Sequence, residues 1–211
     1  MSVVEVKNLN KKFKQQVVIQ NLSFTIEENE MVAFTGASGS GKTTLLNMIG
    51  LISEPDSGEV VLFGESVKGI NSRQAMLKRR KKIGYLFQNY GVVDEETVAW
   101  NLNLALTYKK YTKKERLSRI DAVLKEFHLE SLKNKKVYQL SGGEQQRVAI
   151  MRLILQDCQL ILADEPTGSL DVQNRNMVIA YLKKMKERGK TVLIVTHDLQ
   201  VAEQCDRMIQ L

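Results

Sequence analysis

Cysteine is nearly absent from this chain: Cys158 and Cys205 are its two, far apart and without a C-x-x-C pairing. That excludes a disulfide framework or a cysteine-rich metal site and fits idle thiols in a reducing compartment. His128 and His197 are likewise too few for a histidine-rich metal site. Two prolines in 211 residues leave no low-complexity linker at which to divide the chain, and no internal repeat is visible. Aromatic residues make up only 6% and do not interleave with the basic run "KRRKK" at 78–82, which weighs against a single-strand nucleic-acid binder. No stretch reaches the roughly 18 apolar residues of a membrane span. The opening "MSVVEVKNLNKKF" lacks the apolar centre of a signal peptide. A cytoplasmic protein is expected.

What is present is ordinary globular material, 43% hydrophobic and 26% charged. A chain of this length buries about 70% of its unfolded surface, enough for one domain with or without a subdomain. The net charge of +7 fits either nucleic acid or an anionic membrane face and decides neither.

Along the chain, "VVEVKNLNKKF" and "VVIQNLSFTIEE" alternate as antiparallel strands around a turn-like "KQQ". "MVAFTG" reads as a strand buried on both faces, and "LLNMIGLI" as a helix; "VVLFGESV" and "KIGYLFQN" return to strand character. From about Thr97 to Leu155 the texture is helical. "QLILADEP" and "KTVLIVTHD" are further apolar strands with a helix between them, implying parallel crossover units and an α/β fold.

The stretch "GASGSGKTT" runs from Gly36 through Ala37, Ser38, Gly39, Ser40 and Gly41 to Lys42, Thr43 and Thr44. It meets G-x-x-x-x-G-K-[ST] between a strand and a helix, the pattern of a phosphate-binding P-loop. Its glycines let successive amides point inward at phosphate oxygens, at a helix N-terminus. Lys42 can reach the β- and γ-phosphates, the Thr43 hydroxyl is suited to Mg²⁺, and Thr44 can add a phosphate contact. An apolar strand precedes Asp164 and Glu165, where the chain turns at the carboxyl end of the sheet and ligands of α/β folds bind. Asp164 suits the outer shell of Mg²⁺, which leaves Glu165 to take a proton from an attacking water. His197 ends a strand in the same way and could bridge the γ-phosphate, the water and Glu165. Gln88, closing "YLFQ", could touch Mg²⁺ or the water.

A second anion cradle stands in "LSGGEQQRV" at 140–148: Ser141 and Glu144 have capping-box spacing, and Gly142 and Gly143 bare the amides of a helix start. One P-loop binds one triphosphate, so this cradle is expected to serve the γ-phosphate of a second copy. Two chains arranged head to tail would then sandwich two ATP molecules.

These motifs together resemble the nucleotide-binding subunit of an ABC transporter, along nearly the whole chain. By that resemblance Phe13 stacks on adenine, Gly36–Thr44 is the Walker A loop and Gln88 the Q-loop. Leu140–Gln146 is the signature, Leu160–Glu165 the Walker B strand, Ser169–Asp171 the D-loop and His197 the switch histidine. The resemblance implies a P-loop NTPase with a RecA-like core, an antiparallel β subdomain and an inserted α-helical subdomain. The core covers 1–88 and 156–211, the helical subdomain 89–155, within a single domain over 1–211. ATP and Mg²⁺ are the implied cofactors. The implied partners are a second copy when ATP is bound and a membrane permease, whose presence would hold the chain on the inner face of the cell membrane; no nucleic acid is expected. "ADEPTGSLD" is most similar to the lipoprotein-release and macrolide-export branch, and "YLFQNYGVVDEETVAWNL" to its bacteriocin or peptide exporters. "VVDEETV" replaces a usual proline-containing stretch, so permease contacts there are expected to differ, and the stop at "DRMIQL" implies no regulatory domain. The competing expectations are an ABC-type ATPase driving a signalling or cell-wall complex, and a soluble nucleic-acid or ribosome machine. Against the last stand the single cassette and the lack of heptads.

Overall fold

A computed structural model describes residues 1–168 and 170–211 of the chain. Strands β1 (Ser2–Phe13) and β2 (Gln16–Glu27) form the expected antiparallel hairpin, with Phe13 opposite Gln16. Lys14 turns the chain at φ 55°, the left-handed backbone that a two-residue hairpin turn requires. Strand β3 (Met31–Thr35) is buried at all five positions and leads through the glycine-rich loop into α1 (Lys42–Ile49). Strands β4 (Ser57–Leu62) and β5 (Glu65–Ser66) complete a four-stranded antiparallel sheet of order β2-β1-β4-β5.

The chain then runs through α2 (Arg73–Lys81) and β6 (Ile83–Leu86) into the helical stretch: α3 (Val98–Ala105), α4 (Lys113–Glu126) and α5 (Gly142–Gln156). It returns through β7 (Leu160–Asp164), α6 (Val172–Glu187), β8 (Thr191–Val195), α7 (Leu199–Ala202) and β9 (Arg207–Gln210). The second sheet has the order β6-β7-β8-β3-β9, with every neighbouring pair parallel. The α/β class and the antiparallel companion sheet are as expected.

Strand β7 shows why apolar runs without alternation were needed. Ile161 and Ala163 join the core under the helices α3–α6, whereas Leu160 and Leu162 join the core under α1 and the antiparallel sheet. A parallel strand covered on both faces has no solvent side to keep polar. Two expectations change. Strand β6 stops at Leu86, so Gln88 sits in the turn beyond it rather than closing it. "RMIQ" was not read as a strand; it is β9, an edge strand that pairs with β3, too exposed to leave an apolar signature.

The basic run is structural for the most part. Lys78 is buried, its Nζ donating to the Leu62 carbonyl at 3.1 Å and pairing with Glu65 at 2.9 Å. Arg79 Nη1 donates to the carbonyls of Leu51 and Ile70 at 2.7 Å each. Arg80 lies over the Tyr108 ring at 4.2 Å, and Lys82 over Phe63 at 4.6 Å. Lys78→Ala should therefore destabilise the fold by about 1–3 kcal/mol, since it leaves a carbonyl unpaired and removes a packed stem. Lys81→Ala, on an exposed side chain, should stay within about 0.5 kcal/mol. Urea unfolding of the two variants checks the contrast; equal losses would return the run to the role of a solvated charge patch.

Candidate functional site

Register brings the site together. Phe34 pairs with Val195, and Val195 with Asp164, so β3, β8 and β7 end level with one another. The bonds continue one residue further: Glu165 N–H donates to the Val195 carbonyl at 2.9 Å and Thr196 N–H to the Phe34 carbonyl at 3.0 Å. The glycine-rich loop, the acidic pair and the histidine thus leave one edge of the sheet side by side. The loop, Glu165 and His197 open onto a cavity of ≈ 850 Å³; Asp164 does not line it and reaches it only through Thr43.

That cavity is lined by Phe13, by Gly36, Ala37, Ser38, Gly39, Gly41, Lys42, Thr43 and Thr44, and by Gln88, Glu165 and His197. Gly41 stands at φ 92°, and a Cβ there would lie 2.7 Å from Val18 Cγ1; only glycine lets the hairpin pack so close to the start of α1. Gly39, at φ 83°, has nothing within 4 Å of where a Cβ would stand, so the left-handed backbone rather than a close neighbour favours glycine there. Lys42 is buried and its Nζ donates to the carbonyls of Gly36 and Ala37 at 2.8 Å each. The ammonium is thereby held at the mouth of a ring of backbone, where a phosphate oxygen can be met. Ser40 is not among the lining residues; its amide donates to the Ala37 carbonyl at 3.1 Å, and its buried hydroxyl has no hydrogen-bond partner among the described residues.

Thr43 Oγ1 donates to Asp164 Oδ1 at 3.0 Å. Asp164 is 5% exposed, and burial, followed by the neighbouring Glu165 charge, raises its carboxyl above the usual range, against the lowering effect of Thr43 and Lys42. Such a carboxylate favours a cation. Among the described residues no three His, Cys, Asp or Glu side chains gather as an all-protein metal site. One hydroxyl and one carboxylate beside a phosphate cradle is the donor set that suits Mg²⁺, which keeps waters and phosphate oxygens as its other ligands. The residues fit the metal.

Glu165 takes φ 44°, the left-handed backbone that is uncommon for residues other than glycine. This twist takes the Glu165 side chain out of strand alternation and onto the cavity wall, while the adjacent Asp164 carboxylate stays buried off the lining and meets Thr43. His197 Nδ1 lies 2.9 Å from Glu165 Oε1, and Thr196 Oγ1 donates to Oε2 at 3.2 Å. A carboxylate only accepts, so the proton of that contact sits on Nδ1. Sequence reading missed Thr196, Asp198 and Arg175 around this pair. The one available signal was their closeness in the chain to His197 and Asp171.

The expected capping box forms: Ser141 caps α5, and the reciprocal Ser141–Glu144 contacts are complete. Ser141 and Gly142 are exposed, and neither they nor Gly143 line the cavity. The glycine and glutamine residues beside them have reasons within the chain. A Cβ on Gly143 would lie 2.7 Å from Asn174 Nδ2, and Gln146 Nε2 donates to the Pro166 carbonyl at 2.9 Å. Asp171 also lies away from the cavity: it caps α6, accepting from Asn174 N–H at 2.8 Å. Ser169 of the D-loop lies outside the described residues. His128, at φ 55°, follows the C-cap of α4 and does not line the cavity.

Comparison with known proteins supplies the family. A profile described as ABC transporter matches residues 19–168. The ABC transporter ATP-binding protein YxdL of Bacillus subtilis is 39% identical over 212 residues, covering 99% of this chain and 82% of that protein. The macrolide export ATP-binding/permease protein MacB of Campylobacter jejuni is 38% identical over 209 residues, 99% of this chain. The chain spans only 33% of that longer protein. Among solved structures, the dimeric bacterial ABC transporter cassette MJ0796 superposes with TM-score 0.91 at 38% identity, covering 99% of this chain and 94% of that one. The same cassette in a post-hydrolysis state bound to ADP and Pi gives 0.90. The chain is therefore an ATP-binding cassette of the ABC transporter family, in the branch of the macrolide-export and lipoprotein-release-like proteins.

Proposed function

We propose that this cassette works as a head-to-tail homodimer that hydrolyses ATP to ADP and phosphate and drives a separate membrane permease. The observation carrying this reading is a division of labour. Lys42, Thr43, Glu165 and His197 share one cavity, with Asp164 tied to its edge through the Thr43 hydroxyl, while Ser141 and Gly142 lie outside it and exposed. The second cradle is then available only to a nucleotide held by another copy. Similarity to a cassette that is itself dimeric supports the same arrangement.

In this reading Phe13 stacks on adenine, residues 36–44 wrap the phosphates and Asp171 approaches from the partner. Thr43 and Asp164, with Gln88 on the rim, would hold Mg²⁺, which when bound neutralises charge on the β- and γ-phosphates. Glu165 accepts the proton of the attacking water. His197, hydrogen-bonded to it, orients that carboxylate and meets the γ-phosphate. The helical segment 89–155 moves as a unit between open and closed dimers. A groove of ≈ 340 Å³ beside it, lined by Ile52, Arg80, Tyr85, Phe87, Leu104 and Tyr108, suits an amphipathic helix of the permease. No helix among the described residues is long and apolar enough to cross a membrane; in this reading the translocation path belongs to the permease. Its cargo is a peptide, lipoprotein or antimicrobial, in keeping with relatives named for macrolide export.

If a dimer is the active unit, ATP turnover per chain should rise with protein concentration in the dilute range and level off once dimers form. Phosphate release measured from nanomolar to micromolar protein tests this. A constant rate per chain over that whole range would overturn the dimer.

A further inference from the structure

We infer that Thr196 is a positioning residue for Glu165, its hydroxyl aimed by the Asp198 amide and that loop anchored to α6 through Arg175. The inference rests on the reading of Glu165 as general base.

Thr196 is fully buried immediately beyond β8, and its Oγ1 has two neighbours. Asp198 N–H lies 3.0 Å from it and Glu165 Oε2 3.2 Å. An amide can only donate, so the Thr196 oxygen accepts from Asp198 and its single hydrogen is left for the carboxylate. The direction of the hydroxyl is therefore fixed by the backbone. Successive residues grip the two carboxylate oxygens: His197 Nδ1 holds Oε1 at 2.9 Å and Thr196 holds Oε2. This accounts for a carboxylate that keeps its place on a left-handed backbone at φ 44°.

The loop is itself tied down. Asp198 Oδ1 accepts from Gln200 N–H at 2.9 Å, capping α7, and Oδ2 pairs with Arg175 at 3.1 Å. Arg175 stands in the first turn of α6, the helix capped by Asp171. A chain of contacts thus runs from the start of α6 through Arg175, Asp198 and Thr196 to Glu165. It gives the orientation of the base a dependence on that helix end, with none of the three side chains needing to touch the reacting atoms.

Hydroxyl and methyl can be separated. Thr196→Val keeps the shape and removes the donor; Thr196→Ser keeps the donor and removes the methyl. The expected result is a kcat about tenfold lower in the Val variant with KM for Mg-ATP within about twofold, and a Ser variant within about twofold of the parent in both constants. If the Val variant fails to fold, Thr196→Ala read against Thr196→Ser isolates the hydroxyl equally well. In a Glu165→Gln background the Val change should subtract nothing further, since the group it positions is gone. Equal kcat losses in the Val and Ser variants, or a KM that rises in step, would make Thr196 a packing residue and overturn the inference. An unchanged kcat in Thr196→Val, beside a large loss in Glu165→Gln, would overturn it alone. An unchanged kcat in Glu165→Gln would instead remove the general-base reading.

Discussion

Glu165→Gln is expected to lower kcat by about 10²–10⁴-fold, the usual contribution of a positioned general base, and to leave ATP affinity within about twofold of the parent. The reason is positional. Lys42 and the glycine-rich loop, to which the proposed function assigns the phosphate contacts, have no hydrogen bond to Glu165. The amide of glutamine keeps the length of the side chain and can still accept through its one oxygen from either Thr196 or His197, yet it cannot take up a proton at neutral pH. ATP would then be bound and not consumed, and a dimer held together by it should accumulate. Light scattering behind size exclusion at saturating Mg-ATP reads the dimer, and phosphate release reads the rate. A variant that stays monomeric, or one whose kcat falls less than about threefold, would contradict the role.

Much of this site could be read along the chain because its parts are local. Gly36–Thr44 needs only a strand before it and a helix after it, and β3 and α1 supply both. Asp164, Glu165 and His197 follow apolar runs that could be nothing but buried strands. Which strands lie adjacent, and that Phe34, Val195 and Asp164 end level, depends on pairing between segments far apart in sequence; no local pattern encodes it. The same limit hid the partners of the basic run, where Lys78 is fixed by a carbonyl from β4. It hid the packing of Asn174 against Gly143, so the glycine pair looked as though it existed for a ligand alone. Ser40 shows a further limit of a motif: the loop's own curl turns its hydroxyl inward against Gly36, a contact the spacing does not encode. Thr196 was invisible because a buried threonine reads as strand material until the acceptor of its hydroxyl is known.

Ser141→Arg should abolish hydrolysis, by on the order of 10²–10³-fold for a lost set of preorganised donors at the γ-phosphate, without weakening the ATP affinity of the monomer. Ser141 is exposed and absent from the cavity of its own chain, so an arginine there has nothing local to obstruct. It does remove the cap of α5, at about 0.5–2 kcal/mol. Ser141→Ala carries the same cap loss without the bulk and is the control for stability. The decisive experiment mixes two inactive proteins. In a head-to-tail pair formed by one Glu165→Gln chain and one Ser141→Arg chain, both lesions fall in one composite site and the other site is intact. Equal amounts, combined before ATP is added, should place about half of the chains in mixed dimers and restore about a quarter of parental turnover by the symmetry of the interface. Turnover no greater than the sum of the two separate variants would mean that Ser141 acts on its own chain's nucleotide. The division of labour between the two cradles would then be lost.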